Sequence, residues 1–334
     1  MTAIIAMVIK KELGQRELAR QLSENGLKIT HSAISHIVNK KKQLPQAMWH
    51  LFRTYATKKR GKLPRDINAK IRIFDTTWLS FSRKLVSWAM KGYGDAENRS
   101  FVKLLLKLDI GREVRVDIYV TWNREACSDN SLFQEAVEDS EAGTINIFDK
   151  GFNKLERLKR LDETGRFFIT PLYQYKTRLI KRLGVPPEAR KVGVVDDSIF
   201  IVGAEDNKGR MRARVITLVI RTRKGYDTLR LMTNIMDMPA KDIVALYHLR
   251  WCIEVLFRTL KSRDYLRMER PFAMSAQGLL VSILAVVVSL LVIADCDENF
   301  DFLRPSIADV VSAMRVWAWE IIRDLFPHVF RPPP

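Results

Sequence analysis

The chain has 334 residues, enough for two or three units that each bury a core. Its 47% hydrophobic and 28% charged residues are those of a folded soluble protein. A net charge of +18 predicts a polyanionic partner, most often nucleic acid, although anionic membranes also attract basic proteins. The three cysteines are isolated, which excludes a disulfide framework or a zinc pattern and favours a reducing cytoplasm.

Basic residues concentrate at the N-terminal end, where residues 1–70 hold 15 Lys or Arg against 4 Asp or Glu. Residues 14–43 are similar to a helix-turn-helix, with one helix over 17–23 and a second that starts at Thr30 or His31. Two ordinary amphipathic helices are an equal alternative. The residues predicted to face inward are Leu18, Ala19, Leu22, Ile34 and Ile37. The residues predicted to contact phosphates are Lys40, Lys41, Lys42, Lys58, Lys59 and Arg60.

Two short predicted strands end in the same pattern, since residues 71–75 and 145–149 both read Ile-x-Ile-Phe-Asp. Alternation puts each aspartate on the face of the isoleucines before it. That is odd unless the carboxylate stands at the end of the strand, where the sheet opens. A turn-forming aspartate is the alternative for either residue alone. The repetition favours Asp75 and Asp149 as a pair of functional acids.

The segments around these strands alternate between strand and helix signals. Residues 102–121 predict a hairpin and residues 128–137 a helix, and after Asp149 a helix over 153–163 and a strand over 166–170 follow. Residues 172–238 are rich in strand signals, at 192–195, 198–202, 215–220 and 229–234. Asp196 and Asp197 in this stretch are predicted to be turn residues. They are the first alternatives if Asp149 is not the second functional acid.

Residues 241–264 contain neither Gly nor Pro, follow Pro239 and predict one long helix. At about 100° per residue, a sector of roughly 80° carries polar side chains. They are Tyr247, Arg250, Glu254, Arg258 and Lys261. The other side is apolar and would pack against a core. Pairing of Glu254 with Arg250 and Arg258 on a solvated face is the simpler alternative.

Residues 279–294 form an apolar run of 16 residues. A membrane span usually needs about 20. The run therefore predicts a helix that is buried on all sides rather than a span.

The spacing of Tyr247, Arg250, Glu254 and Lys261 resembles the Tyr-Arg-Glu-Lys signature of bacterial insertion-sequence transposases. These are DDE enzymes of the insertion sequence family four type. The resemblance runs from about residue 71 to residue 261. It implies an α/β fold with an RNase H-like mixed sheet, flanking helices, a β-rich insertion and a helical N-terminal DNA-binding region. The implied units are 1–65 (N-terminal region), 66–171 (first part of the core), 172–238 (insertion) and 239–334 (core helix and C-terminal helices).

In the DDE class, two aspartates and a glutamate are the metal ligands. The resemblance therefore implies that Asp75, Asp149 and Glu254 hold two Mg²⁺ ions, for which Mn²⁺ can substitute, with Asp75 bridging both. Water would cut the transposon end, and the freed 3′-hydroxyl would attack target DNA; whether a hairpin intermediate forms stays open. Tyr247, Arg250, Arg258 and Lys261 would contact DNA phosphates.

The implied partners are double-stranded DNA, at the transposon ends and the target, and a second copy of the chain in the DNA complex. No membrane partner is expected, and the implied location is the bacterial cytoplasm, at the nucleoid. Two other functions fit the same residues. One is a nuclease of the same fold that cuts but never joins, and the other is an inactive DNA-binding regulator derived from a transposase.

Overall fold

The computed structural model describes residues 15–24, 28–40, 43–58, 70–110, 114–137, 139–222, 225–261, 271 and 273–296. The helices in these ranges are α1 Gln15–Glu24, α2 His31–Lys40, α3 Gln43–Ala56, α4 Asp129–Val137, α5 Leu155–Glu163, α6 Pro187–Lys191, α7 Ala240–His248, α8 Arg250–Lys261 and α9 Ala276–Cys296. The strands are β1 Thr57–Lys58, β2 Ile71–Ser82, β3 Met90–Lys91, β4 Arg99–Ile110, β5 Val114–Thr121, β6 Ile145–Ile147, β7 Phe167–Pro171, β8 Thr177–Leu183, β9 Val194–Val202, β10 Met211–Thr222 and β11 Gly225–Thr233. Short 3₁₀ turns lie at Gly94–Ala96 and Lys150–Phe152.

All described strands belong to one sheet, in the order β1-β5-β4-β2-β6-β7-β11-β10-β9-β8, with β3 beside β4. The pairs β2–β6 and β6–β7 are parallel and the other pairs are antiparallel. This mixed sheet with helices confirms the predicted α/β class. The order β5-β4-β2-β6-β7 is consistent with an RNase H-like core.

The two faces of the sheet bury different hydrophobic clusters, because alternate residues of a strand point to opposite faces. On one face, Phe74, Phe148 and Phe168 pack with α4 and α5. On the other face, Ile73 and Ile147 pack in a larger cluster with residues of α7, α8, α9 and the N-terminal helices. The central strands are therefore covered on both sides, and α8 lies on the face of the isoleucines.

The first N-terminal helix begins and ends within two residues of its predicted bounds, and the second begins at His31 as predicted. The Thr30 hydroxyl accepts the Ala33 N–H at 3.2 Å, which caps the first turn of α2. The predicted inward residues Leu18, Ala19, Leu22 and Ile34 are buried, and Ile37 is partly buried against the same cluster. The following helix, α3, had no counterpart in the predictions. A DNA-binding role for this region stays a prediction.

The apolar run at residues 279–294 lies in α9, whose described side chains are mostly buried against α2 and α3. The Gln277 amide donates to the Val38 carbonyl at 3.1 Å, and Ser275 donates to Asn39 at 2.6 Å. The buried-helix prediction is confirmed for these residues. In the described part of the chain, none of the helices combines the length and apolarity that crossing a bilayer requires.

The β-rich stretch continues the central sheet, since β11 pairs with β7 from Leu231 to Thr233. Two predicted strands, 192–195 and 198–202, are one strand, β9, and β8 was not predicted. The prediction that Asp196 and Asp197 are turn residues is wrong, because both lie within β9. Asp197 is buried there because Arg214 of β10 donates two hydrogen bonds to its carboxylate, at 2.8 and 2.6 Å.

The prediction of one long helix over 241–264 is also wrong. α7 ends at His248, and the Leu249 N–H bonds to the Leu246 carbonyl at 3.1 Å in a tight i to i−3 turn. α8 then begins at Arg250. Neither Gly nor Pro marks the break, so packing of Tyr247 and Ile253 on the core outweighs local helix propensity here. Residues 262–264 lie outside the described residues.

Candidate active site

Asp75 and Asp149 lie on neighbouring parallel strands at the same level. The last paired residues are Ile73 of β2 and Ile147 of β6. The next residues, Phe74 and Phe148, stack with ring centroids 5.0 Å apart. In this register Asp75 and Asp149 come next, where the two strands separate. The structure therefore brings the two predicted aspartates side by side.

The sequence predicted that Asp75 stands at the end of its strand, but in the structure the strand continues past it. β2 continues seven residues further, to Ser82, because it stays paired with β4 along this whole length. What ends at this point is the pairing with β6, so the sheet opens on one side of Asp75 only. Asp149 lies two residues after the end of β6, and the 3₁₀ turn Lys150–Phe152 follows it.

Glu254 faces Asp75 from α8, which packs against β2 and buries Ile253 and Leu260 in the core. The link between Glu254 and the strand is Arg250, one helical turn earlier. Its guanidinium donates to the Glu254 carboxylate at 2.5 Å and to the Asp75 carboxylate at 3.4 Å. The guanidinium therefore lies between two of the three predicted acids.

Tyr247 completes this arrangement from the end of α7. Its hydroxyl accepts a hydrogen bond from Arg250 at 3.2 Å, and the guanidinium carbon lies 5.5 Å from the ring centroid. Burial raises the pKa of the Tyr247 hydroxyl. Burial also acts to lower the pKa of Arg250, but Tyr247, Glu254 and Asp149 outweigh it and the net shift is upward. Arg250 is thus held as a charged group among oxygen acceptors.

Burial is also the largest influence on Asp75, and it raises the pKa of this carboxyl to about 6. The Thr76 N–H, which donates to the carboxylate at 2.7 Å, and the Arg250 charge oppose the rise. The charges of Asp149 and Glu254 add to it. The three carboxylates therefore interact electrostatically, and Arg250 compensates part of their repulsion.

Lys261 lies at the end of α8, against β2. Its ammonium donates to the Trp78 carbonyl at 3.0 Å and to the Thr77 hydroxyl at 3.3 Å. These contacts place it two to three residues beyond Asp75 along the strand. No sequence pattern pointed to Thr77 or Trp78, because a contact across 184 positions depends on how α8 crosses the sheet.

The other predicted DNA contacts are not gathered at the carboxylates. Arg258 is exposed, and its guanidinium carbon lies 5.7 Å from the ring centroid of Trp251, which is also exposed. Lys40 is exposed at the end of α2, and the backbone of Lys58 pairs with Val114 at the far edge of the sheet. Lys41, Lys42, Lys59 and Arg60 lie outside the described residues.

The acids fit a divalent cation in chemical kind, since carboxylate oxygens are the ligands that Mg²⁺ prefers. Asp75 is mostly buried, and the charges of Asp149 and Glu254 reach it. Within the described ranges, however, no three His, Cys, Asp or Glu side chains are close enough together to hold an ion. The Arg250 guanidinium takes the position between Asp75 and Glu254 that a shared cation would need.

The fold and site define a mixed α/β protein with acidic side chains where a central parallel strand pair opens. The family described as the transposase DDE domain matches residues 67–287, which is more than half of the chain. The chain therefore belongs to this transposase family.

Two curated relatives agree with this membership. One, from Sinorhizobium fredii strain NGR234, is named as a transposase, y4zB, and is 32% identical over 130 residues, 38% of this chain and 36% of the relative. The other, from Geobacillus stearothermophilus, is named as a transposase for insertion sequence element IS5377. It is 24% identical over 195 residues, 57% of this chain and 48% of the relative. The chain thus spans between a third and a half of the length of these relatives.

Proposed function

We propose that the protein is an insertion-sequence transposase of the Tyr-Arg-Glu-Lys type, which cuts the ends of its element and joins them to target DNA. The observation that carries this proposal is the register of β2 and β6, which puts Asp75 beside Asp149, with Glu254 tied to Asp75 through Arg250. The family membership and the name of the Geobacillus relative support the same function.

In this proposal Asp75, Asp149 and Glu254 hold Mg²⁺, or Mn²⁺ in its place. Ions held there would supply a water nucleophile and would offset charge on the phosphate. The role of the protein would be to bring these three carboxylates, from β2, from the segment after β6 and from α8, to the same ions. The planar guanidinium of Arg250, which contacts Asp75 and Glu254, would be suited to take a phosphate through two hydrogen bonds if such ions occupied the site.

The DNA is held by groups that border the acids. Tyr247 positions Arg250 through its hydroxyl, and Lys261 offers an ammonium beside β2. The basic N-terminal region, with its Lys runs, supplies contacts that bind DNA without reading its sequence. Two copies of the chain would hold the two ends of the element together.

Cleavage of DNA that carries the ends of the element, in the presence of Mg²⁺, tests this proposal. We expect Glu254→Gln to reduce cleavage by at least a thousandfold while the affinity for the ends changes by less than threefold. The matched control is Glu205→Gln, since Glu205 is 89% exposed and pairs with Arg210 on a distant loop. Normal cutting by Glu254→Gln would contradict the site.

Joining is tested separately, with an end that has already been cut. The proposed function predicts that the wild-type protein transfers this 3′ end into a plasmid and that Glu254→Gln does not. Cleavage without transfer would instead identify a nuclease of the same fold.

A further inference from the structure

The Asp149 carboxylate is placed by the backbone of the turn that follows it. Asp149 is extended, with φ −78° and ψ 164°, and the 3₁₀ turn Lys150–Phe152 begins at the next residue. Within these described residues, the Asp149 side chain makes no capping hydrogen bond to the turn. The direction of the carboxylate therefore depends on how firmly the turn is attached to the sheet.

The turn interrupts the parallel ladder between β6 and β7. Just before it, the Phe148 N–H donates to the Ile169 carbonyl at 3.3 Å. Carbonyls two residues apart on a strand point the same way, so the Pro171 carbonyl also faces β6, where a continued ladder would supply the Lys150 N–H. The chain turns there instead, and the Asn153 side-chain amide donates to the Pro171 carbonyl at 2.6 Å. Asn153 thus takes the place of the next backbone donor.

Asn153 also forms the bend between this turn and α5. Its φ of −79° and ψ of 84°, with the hydrogen bond from the Lys154 N–H to the Phe152 carbonyl at 3.0 Å, define an inverse γ-turn. The Tyr175 hydroxyl, from the loop after β7, donates to the Asn153 carbonyl at 2.5 Å. Asn153 is therefore tied to β7 through its side chain and to the following loop through its backbone.

The placement of Asn153 carries a cost to stability. The residue is 5% exposed, and its amide oxygen is buried without a hydrogen-bond partner among the residues that the structure describes. An acceptor in that state destabilises the fold, and folded proteins contain few of them. The contribution of Asn153 therefore lies in the position that its amide N–H fixes.

We propose that Asn153, supported by Tyr175, is a positioning residue for Asp149. It fixes the turn where β6 leaves the sheet, so that the Asp149 carboxylate stays on the side of Asp75. This inference rests on the proposed function and adds a residue that acts on it only through Asp149. Groups that orient a metal ligand from behind commonly change metal affinity or activity by about 10–100-fold when they are removed.

The experiment compares Asn153→Ala with Asn234→Ala. Asn234 is the matched control because it is also buried and bonds at the other end of β7, where it accepts the Phe168 N–H at 3.0 Å and donates to the Arg166 carbonyl at 3.0 Å. Urea unfolding should show similar losses of stability in the two variants. Mn²⁺ binding without DNA is measured from the paramagnetic resonance of the free ion, and the binding that Asp149→Asn removes defines the site. Only Asn153→Ala should weaken this binding, by about tenfold or more.

Cleavage of the element's ends gives a second readout. At saturating DNA, Asn153→Ala should slow cutting about tenfold or more, and excess Mn²⁺ should restore part of the rate. Its affinity for the ends should stay within about twofold of wild type, because Asn153 acts on the acids and not on the DNA. Tyr175→Phe keeps the ring and loses only the hydroxyl, so we expect a smaller effect in the same direction, about threefold, with little change in stability.

Equal Mn²⁺ affinities in Asn153→Ala and Asn234→Ala would overturn the inference, and so would a loss in Asn153→Ala that Tyr175→Phe does not share. Should Asn153→Ala not fold, Tyr175→Phe alone decides. If wild-type protein binds Mn²⁺ through Asp149 and cuts the ends while the inference fails, the proposed function stands without it. If wild-type protein neither binds Mn²⁺ through Asp149 nor cuts the ends, both fail.

Discussion

Arg250 is the side chain on which the arrangement of the acids depends. Burying carboxylates close together costs free energy unless a cation compensates them, and Arg250 contacts both Asp75 and Glu254 from one position. In the proposed function, metal would take the place of this guanidinium, which would then be suited to bind a phosphate. One residue thus stabilises the metal-free protein and is expected to bind substrate afterwards.

The clearest residue-scale prediction concerns stability away from the site. Asp197 and Arg214 form a buried pair, with side chains 3% and 5% exposed. We expect Arg214→Met to lower the free energy of unfolding by about 3–5 kcal/mol, because it leaves a buried carboxylate without its partner. Urea unfolding followed by circular dichroism measures this change.

The control for this pair is Lys70→Met, since Lys70 and Glu141 form an exposed ion pair expected to contribute about 1 kcal/mol or less. The double variant Asp197→Leu with Arg214→Met should recover most of the lost stability. If Arg214→Met lowers the free energy of unfolding no more than Lys70→Met does, Asp197 and Arg214 do not form the buried ion pair described here.

A second residue-scale prediction concerns pH. Burial acts to raise the pKa of Asp139, but hydrogen bonding and charge from Arg72, together with Lys107, outweigh it and lower the pKa. A carboxyl whose pKa is depressed on folding stabilises the protein above its unfolded pKa of about 3.9. This stabilisation is lost as the pH falls through the folded pKa.

Asp139→Asn should therefore lower the free energy of unfolding at pH 7 by about 1 kcal/mol or less, because Asp139 is 52% exposed and solvent screens its charge. The difference from wild type should shrink as the pH falls below 4, as measured by urea unfolding at a series of pH values. A difference that grows toward low pH would contradict the assignment.

At the scale of elements, α8 matters through where it crosses β2. Arg250 and Glu254 lie over Asp75, and Lys261, about two turns beyond Glu254, reaches Trp78. The helix therefore distributes its polar groups along the strand rather than around one point. In the proposed function Lys261 contacts a DNA phosphate, so its contribution should be electrostatic.

Lys261→Ala should weaken binding to DNA ends about tenfold and reduce the slope of log affinity against log salt by about one. Binding isotherms at four salt concentrations measure both quantities. Lys159→Ala is the matched control, since Lys159 is half-exposed on α5, across the sheet from α8, and pairs with Glu163. An unchanged salt slope in Lys261→Ala would mean that this residue acts only as a support for α8.

Much of the site could be predicted from the sequence because local patterns carry it. The repeated Ile-x-Ile-Phe-Asp runs pair in register, and the i, i+4 spacing brings Arg250 to Glu254. The break at Leu249 could not be predicted, because nothing local marks it and packing of the neighbouring residues decides it. The length of β2 beyond Asp75 was also missed, since β4 supports it from across the sheet.

At the scale of the whole molecule, α9, the last described helix, packs against the N-terminal helices α2 and α3. Its residues lie in the same hydrophobic cluster as Leu18 and Ile34 from the N-terminal helices and Ile73 from the central sheet. The N-terminal helices therefore share a core with the candidate site. Where this region binds DNA, its position relative to the acids is fixed by packing.

Leu284→Ala tests this shared core, because Leu284 is fully buried in α9. We expect it to lower the free energy of unfolding by about 2–5 kcal/mol, in a single transition seen equally by far-UV circular dichroism and tryptophan fluorescence. Leu85→Ala, at a residue 55% exposed, should cost far less. Two separate transitions would show that the N-terminal helices fold independently of the sheet.

The most direct test of the central claim is to map where a divalent ion binds. Fe²⁺ bound in place of Mg²⁺, with peroxide, cuts the polypeptide backbone next to the metal, and mass spectrometry locates the cuts. The account predicts cuts near Asp75, Asp149 and Glu254 together, all suppressed by excess Mg²⁺ and all lost in Asp149→Asn. Cuts near Asp196 and Asp197 instead, or near one of the three acids alone, would contradict it.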